Sequence, residues 1–251
     1  MTRTRSKTER LLFILGTAAA LYLGWTSVSN AMHIMEGYLP MKHCVIWGAV
    51  CIPFLITGLY SIKHTVSQHR KTLLLLVMMG AYVFVLSALK IPSVTGSSSH
   101  PTGTGLGAIL FGPAAMCVLG LIVLIFQALL LAHGGLTTLG ANTFSMAVSG
   151  PFLAFGVFWI CRRLHAPKSL SVFLAACLGD LFTYCITAFQ LAIAHPSPVG
   201  GFSASLVEFM GIFAITQIPL AVIEGLIAVA VMKALESYAK PELAELGYLG
   251  V

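Results

Sequence analysis

The sequence predicts an all-α polytopic membrane protein, with about seven transmembrane helices after removal of an N-terminal signal peptide. Hydrophobic residues make up 58% of the 251 residues and charged residues only 9%, whereas an average soluble domain has about 25% charged residues. The mean hydropathy of +0.94 excludes a disordered chain, because disordered segments lack the apolar residues that a packed core needs. Membrane helices are the class that remains.

The N-terminus has the layout of a signal peptide. The first ten residues carry four basic side chains and one acidic side chain, an apolar stretch covers 11–25, and the polar run after it ends in Ser-Asn-Ala at 29–31. A basic start, a short apolar stretch and a small-x-small tripeptide are typical of a cleaved signal. We therefore predict a cleavable signal peptide over 1–31 and an integral membrane domain over 32–251. An uncleaved anchor helix is the alternative, although the apolar stretch is short for a span.

Six apolar stretches follow, and most are long enough to cross a hydrocarbon layer of about 30 Å as helices. The third contains Gly112-Pro113 and Gly120, which favour a break into two helices. This division gives seven crossings, of which one must be short, tilted or re-entrant because the stretch is too short for two full spans. The stretches are 44–62, 72–89, 105–132, 143–161, 169–194 and 206–232.

The basic residues predict the orientation. The loops 63–71 and 162–168 each carry three Lys or Arg residues, which places both on the cytoplasmic face under the positive-inside rule. We therefore predict a multi-pass protein of the cell (inner) membrane, with the mature N-terminus outside and the C-terminus in the cytoplasm. The net charge of +6 then reflects orientation in the lipid bilayer, and the lack of a basic stripe interleaved with aromatic residues excludes nucleic acid as a partner.

The mature N-terminus would begin with a metal chelate. The α-amine of Met32 and the deprotonated amide nitrogen of His33 close a five-membered ring on a metal ion, and Nδ1 of the His33 imidazole closes a six-membered ring. These three nitrogens lie nearly in one plane and leave one equatorial position for a fourth donor. Such a set suits square-planar nitrogen-binding ions such as Ni²⁺ or Cu²⁺, and also Co²⁺.

The fourth donor is expected among the histidines of the external loops, which are His100, His133 and His195. We favour His100, because its Gly- and Ser-rich loop lets the backbone approach closely. Two residues near the mature N-terminus are further candidates. Met35 offers a thioether, and the Glu36 carboxylate is suited to neutralise charge or to orient an imidazole from behind the ligands.

Two acidic residues, Asp180 and Glu224, lie inside the apolar stretches, where a charge costs about 3 kcal/mol on insertion scales. One hypothesis is therefore a membrane-embedded enzyme or assembly subunit that uses this pair. The other is that the pair links helices by hydrogen bonds to Gln127, Gln190 or Gln217 or to hydroxyl groups. The sequence contains neither GxxxxGK[ST] nor HExxH, which excludes P-loop ATP hydrolysis and the common metalloprotease signature.

Three segments of the chain resemble the CbiM/NikM family, the substrate-capture (S) components of energy-coupling factor transporters for cobalt and nickel. They are 32–40, which begins Met-His-Ile-Met-Glu-Gly, the loop 96–105 and the run 127–142. The resemblance spans nearly the whole mature chain. It implies a seven-helix metal-capture domain whose N-terminal segment folds back into the bundle. It also implies that the metal is held by the Met32 amine, by the amide and imidazole of His33, and by His100.

The resemblance further implies partners and a cargo. The family works with a transmembrane coupling (T) subunit, cytosolic ATPase subunits and a small accessory membrane subunit, which agrees with the missing ATP motif. Its cobalt branch has Met-Glu at the positions of residues 35–36, where the nickel branch commonly has Pro-Asp, so we expect Co²⁺ for cobalamin biosynthesis. A nickel-specific S component is the alternative. We expect no enzymatic activity and no cofactor. The residues expected to support the metal ligands without binding the metal directly are Met35, Glu36 and His133.

Overall fold

Long apolar runs fold as helices because a backbone in hydrocarbon must satisfy its hydrogen bonds internally. The computed structural model describes residues 33–68, 70–89, 91–92 and 98–248, and there it confirms the all-α polytopic fold. The signal peptide predicted over 1–31 and the predicted ligand Met32 lie outside these residues. In chain order the elements are α1 (Met41–Gln68), α2 (Thr72–Ala88), β1 (Ile91–Pro92), β2 (Ser98–Ser99), α3 (Thr104–Phe111), α4 (Pro113–Leu131), α5 (Leu139–Arg163), α6 (Lys168–Ala194), α7 (Gly201–Tyr238) and α8 (Lys240–Glu245).

Five helices of the described part of the chain, namely α1 and α4 to α7, have the length and composition to cross a membrane. Helix α2 is a shorter apolar helix of 17 residues. The two-residue strands β1 and β2 pair antiparallel, with Ile91 opposite Ser99, and lead the chain to His100. Helix α5 contains a π-helical stretch over Thr143–Ser149.

The predicted break of the third apolar stretch is present at Gly112. This residue has φ +80° and ψ +157°, a backbone region that is essentially reserved for glycine, and Pro113 begins α4 after it. The eight-residue helix α3 is only about 12 Å long, so it cannot cross a bilayer. All eight of its residues are buried, and it packs against α4, α5 and α6, which shield it from lipid.

The bundle has two distinct ends. At one end a cavity of about 390 Å³ is lined by the ends of α1, α3 and α5 and by residues 245–248. Arg162 and Arg163 occupy the last turn of α5, and Lys168 begins α6 beside the ring of Tyr248. The predicted cytoplasmic loops therefore share one end. The opposite end holds the segment 33–40, which meets the end of α6 where His195 donates to the Tyr38 carbonyl oxygen at 2.8 Å.

We expect the substitution Gly112→Ala to destabilise the protein by about 1–3 kcal/mol, because a side chain is strained in this backbone region. An added Cβ would meet nothing within 4 Å, so the effect would come from the backbone alone. Thermal unfolding of the detergent-solubilised protein measures it. Gly156→Ala in α5 is the matched control, since its Cβ also meets nothing within 4 Å and its backbone is helical. Equal unfolding temperatures for the two variants would contradict the conclusion that the backbone at position 112 requires glycine.

Candidate metal centre

The segment 33–40 is fixed to helix α5 through the backbone of Ile34. Ile34 N donates to Asn142 Oδ1 at 2.8 Å, and Asn142 Nδ2 donates to the Ile34 carbonyl oxygen at 3.0 Å. Thr138 Oγ1 donates to the same carbonyl oxygen at 2.6 Å. A buried peptide group needs partners for both its N–H and its C=O, and the side chains of α5 supply them. His33 is therefore held in place by the residue that follows it.

Glu36 attaches the same segment to the loop before α5. Its Oε2 accepts a hydrogen bond from Thr137 N at 3.1 Å, and the hydrogen bonds from Thr137 lower the pKa of this exposed carboxyl. A Cβ on Gly135 would lie 2.6 Å from the N and Cα atoms of Glu36, so only glycine allows the two backbones to approach this closely. Glu36 thus anchors the segment from the exposed side, while Met35 beside it is half-buried.

Three histidines from distant parts of the sequence meet inside the bundle. Their ring nitrogens lie within 4.8 Å of one another, and the residues are His33, His100 and His133, exposed by 1%, 0% and 2%. The ring centroids of His33 and His100 are 4.6 Å apart. The His133 ring is nearly perpendicular to both, at centroid distances of 4.4 Å and 5.0 Å.

Neighbouring acceptors determine which nitrogens carry protons. His100 Nδ1 lies 3.0 Å from the Pro101 carbonyl oxygen, and a carbonyl only accepts, so Nδ1 is the protonated nitrogen. His33 Nε2 lies 3.2 Å from Met146 Sδ, which is a weak hydrogen-bond acceptor. The remaining nitrogens, His33 Nδ1 and His100 Nε2, are 3.3 Å apart. Two imidazole nitrogens at this separation are close enough to bind one metal ion.

Of the three histidines proposed for the fourth position, the structure brings two to His33. His100 lies in the cluster as favoured, and His133 lies there as well, at the left-handed end of α4, where Ala132 has φ +46°. His195 does not join them, because its Nε2 is hydrogen-bonded to Tyr38 at the rim of the bundle.

Asn142 and Met146 contribute to the site but were missed by the sequence analysis. The amide of Asn142, a polar group in a span that is otherwise largely apolar, was an available signal. Met146 offered none, because methionine is an ordinary packing residue in a membrane helix.

The buried acidic pair is hydrogen-bonded within the protein. Glu224 accepts from Gly103 N at 2.9 Å and from Thr102 Oγ1 at 3.0 Å, and Asp180 Oδ2 accepts from the Gln217 amide. The predicted bonds between helices are thus present through Gln217. The other two glutamines bind elsewhere: Gln127 donates to Ser87 Oγ at 2.6 Å and Gln190 donates to the Ala141 carbonyl oxygen at 3.1 Å.

Comparison with known proteins gives the family. Residues 33–243 match the model described as "cobalt uptake substrate-specific transmembrane region", CbiM. The chain is 60% identical over 242 residues to the cobalt transport protein CbiM of Lachnoclostridium phytofermentans, covering 96% of this chain and 97% of that protein. It is 56% identical over 245 residues to the cobalt transport protein CbiM of Moorella thermoacetica, covering 98% and 93%.

Solved structures agree with this family. The crystal structure of a truncated transition metal transporter superposes with a TM-score of 0.72 at 26% identity, covering 82% of this chain and 99% of that one. A second transition metal transporter gives 0.71 at 26% identity, covering 82% and 92%. Because these proteins are transporters, the hypothesis of a membrane-embedded enzyme built on Asp180 and Glu224 is wrong. The chain belongs to the CbiM family of substrate-specific transmembrane components for cobalt uptake.

Proposed function

We propose that the chain is the substrate-capture (S) subunit of an ATP-driven energy-coupling factor importer for Co²⁺, and that Met32, His33 and His100 bind the ion. The observation that carries this proposal is the separation of 3.3 Å between His33 Nδ1 and His100 Nε2 in a buried cluster of three histidines. Imidazole nitrogens are common ligands of transition metals, and a buried site of this kind keeps water away from the ion.

The separation of the two nitrogens fits adjacent positions around one ion. With metal–nitrogen bonds of about 2.0–2.1 Å, adjacent ligands of a square plane lie about 2.9 Å apart and opposite ones about 4.1 Å. The observed 3.3 Å is nearer to the adjacent distance. In the proposed chelate, the position left vacant by Met32 and His33 is adjacent to His33 Nδ1, and the short distance from His33 Nδ1 to His100 Nε2 supports assigning His100 to it.

The Met32 amine completes the proposed ligand set. Consecutive Cα atoms are about 3.8 Å apart, so cleavage after Ala31 creates a free amine one residue from the buried His33 imidazole. His133 is the third imidazole of the cluster, and we assign it to the space outside the ligand plane because its ring is steeply inclined to those of His33 and His100. Glu36 acts from further away, by holding the segment through Thr137.

Cobalt is the proposed cargo, and nickel is its chemical competitor. The family model and the relatives concern cobalt, and residues 35–36 have the Met-Glu form of the cobalt branch. We therefore assign the subunit to cobalt supply for cobalamin biosynthesis. Ni²⁺ binds nitrogen donors more tightly than Co²⁺ in general, so every binding measurement should include both ions.

The partners follow from what the sequence lacks. No P-loop motif is present, so we assign ATP hydrolysis to cytosolic ATPase subunits that act through a transmembrane coupling (T) subunit, with a small accessory membrane subunit beside them. The basic helix ends lie at the end of the bundle opposite the histidines. We therefore orient the histidine end outward and the C-terminus toward the cytoplasm.

We expect His100→Ala and His33→Ala to weaken Co²⁺ binding by more than about 100-fold, because loss of a partner behind the ligands alone costs about 10–100-fold. Calorimetric titration of the purified, processed protein measures this effect. The substitution His133→Ala should weaken Co²⁺ binding less, by about 10-fold. The matched control is His195→Ala, which removes only one hydrogen bond at the rim of the segment 33–40 and should cost a few fold at most, about 2–10-fold. An equal loss for His195→Ala and His100→Ala would overturn the ligand set.

The free amine provides an independent test. Two alanines inserted before Met32, so that they remain after processing, convert the proposed amine ligand into an amide. They also place His33 fourth in the chain, because a histidine in third place would let the peptide alone supply four nitrogens. We expect Co²⁺ binding to fall as far as in His33→Ala. N-terminal sequencing and metal analysis of the same sample measure both properties. The control carries two alanines after Val251 and should bind normally. Full metal loading of the N-terminally extended protein would show that Met32 is no ligand.

A further inference from the structure

The loop that carries His100 is bound by a single buried carboxylate. The Glu224 carboxylate of α7 accepts three hydrogen bonds: one from Thr102 N, one from Gly103 N at 2.9 Å and one from the Thr102 hydroxyl at 3.0 Å. Glu224 is 1% exposed and Thr102 is fully buried, so these bonds form away from bulk water, where charge-assisted hydrogen bonds are strong. The carboxylate therefore fixes the backbone two and three residues after His100.

The backbone of His100 itself is hydrogen-bonded to side chains of α7 and of the neighbouring helix α6. Its N–H donates to the Tyr184 hydroxyl at 3.3 Å, and that hydroxyl donates to its carbonyl oxygen at 3.2 Å. Gln217 Nε2 also reaches the His100 carbonyl oxygen at 3.5 Å and donates to Asp180. Tyr184 and Asp180 belong to α6, and Gln217 belongs to α7. The side-chain hydrogen bonds to the His100 backbone thus come from α6 and α7.

His33 is held by a different helix. Its neighbour Ile34 is bound by Thr138 and Asn142, and its ring contacts Met146, all on or directly before α5. His33 Nδ1 and His100 Nε2, which are 3.3 Å apart, are therefore held by hydrogen bonds to different helices. The distance between them depends on how α6 and α7 sit relative to α5.

We infer that Glu224 is a positioning residue for metal capture, which holds His100 Nε2 at bonding distance from an ion on His33, with Asp180 and Gln217 supporting the same loop. This inference rests on the proposed function, since it takes His100 as a ligand.

The test is the near-isosteric substitution Glu224→Gln. The two backbone N–H groups donate to different oxygens of Glu224, and a glutamine keeps only one acceptor oxygen. The substitution therefore removes at least one of these hydrogen bonds while the side-chain volume is kept. We expect Co²⁺ to bind about 10–100-fold more weakly, as for other residues that orient a ligand. The ligand-field absorption of bound Co²⁺ should shift toward that of His100→Ala. The matched control is Glu208→Gln, which changes an exposed glutamate of the same helix and should leave both readouts unchanged.

A double substitution separates positioning from general stability. If Glu224 acts through His100, then Glu224→Gln adds no further loss of affinity in a His100→Ala background. Additive losses, or an unshifted spectrum with unchanged affinity in Glu224→Gln, would overturn the inference and leave the proposed function standing. Absence of Co²⁺ binding by the unchanged, processed protein would instead refute the proposed function.

A milder variant covers the case in which Glu224→Gln does not fold. Thr102→Val keeps the side-chain shape and removes one of the three donors to Glu224, and we expect a loss of affinity of a few fold, about 2–10-fold, with the same direction of spectral shift. Unchanged affinity and an unchanged spectrum in Thr102→Val would also overturn the inference.

Discussion

The hydrogen bonds between the Asn142 side chain and the Ile34 backbone are the interaction on which the position of His33 in the histidine cluster depends. The segment 33–40 enters a bundle of helices without a helix of its own, so its buried peptide groups need partners from outside the segment. The Asn142 side chain hydrogen-bonds both the N–H and the C=O of Ile34, as a neighbouring β-strand would. Because Met146 lies one turn further along α5 and contacts the His33 ring, a single stretch of helix fixes both the backbone and the imidazole.

The short helix α3 explains how distant histidines meet. Helices α3 and α4 form a hairpin around Gly112, with α3 fully buried. His100 precedes the first arm and His133 follows the second, so the reversal of the chain returns both to the level of His33. A continuous helix over the same stretch would place these two histidines at opposite ends of the bundle. The broken helix therefore does for this protein what unwound helices do in other membrane transporters, where irregular backbone is tolerated only inside protein.

Much of this arrangement could be predicted from the sequence, and the limits are physical. Gly112-Pro113 predicted the break because few residues other than glycine adopt that backbone conformation. The predicted chelate at His33 needed a fourth donor, and the Gly- and Ser-rich loop favoured His100, which the structure places beside His33. The role of Met146 was not predictable, since lipid and protein interior are equally apolar and composition does not reveal which face of such a helix points inward. Asp180 and Glu224 illustrate a different limit. Their place inside apolar stretches indicated that they matter, but only the structure showed that they form hydrogen bonds within the bundle.

The near-complete burial of the three histidines has a kinetic consequence. With exposures between 0% and 2%, none of these imidazoles is accessible while the N-terminal segment is in place. An ion bound there would be occluded, and its dwell time would be governed by the opening of the segment held by Asn142, Thr138 and Glu36 rather than by the strength of its bonds alone. A strong chelator in the medium would then strip the metal at a rate independent of chelator concentration.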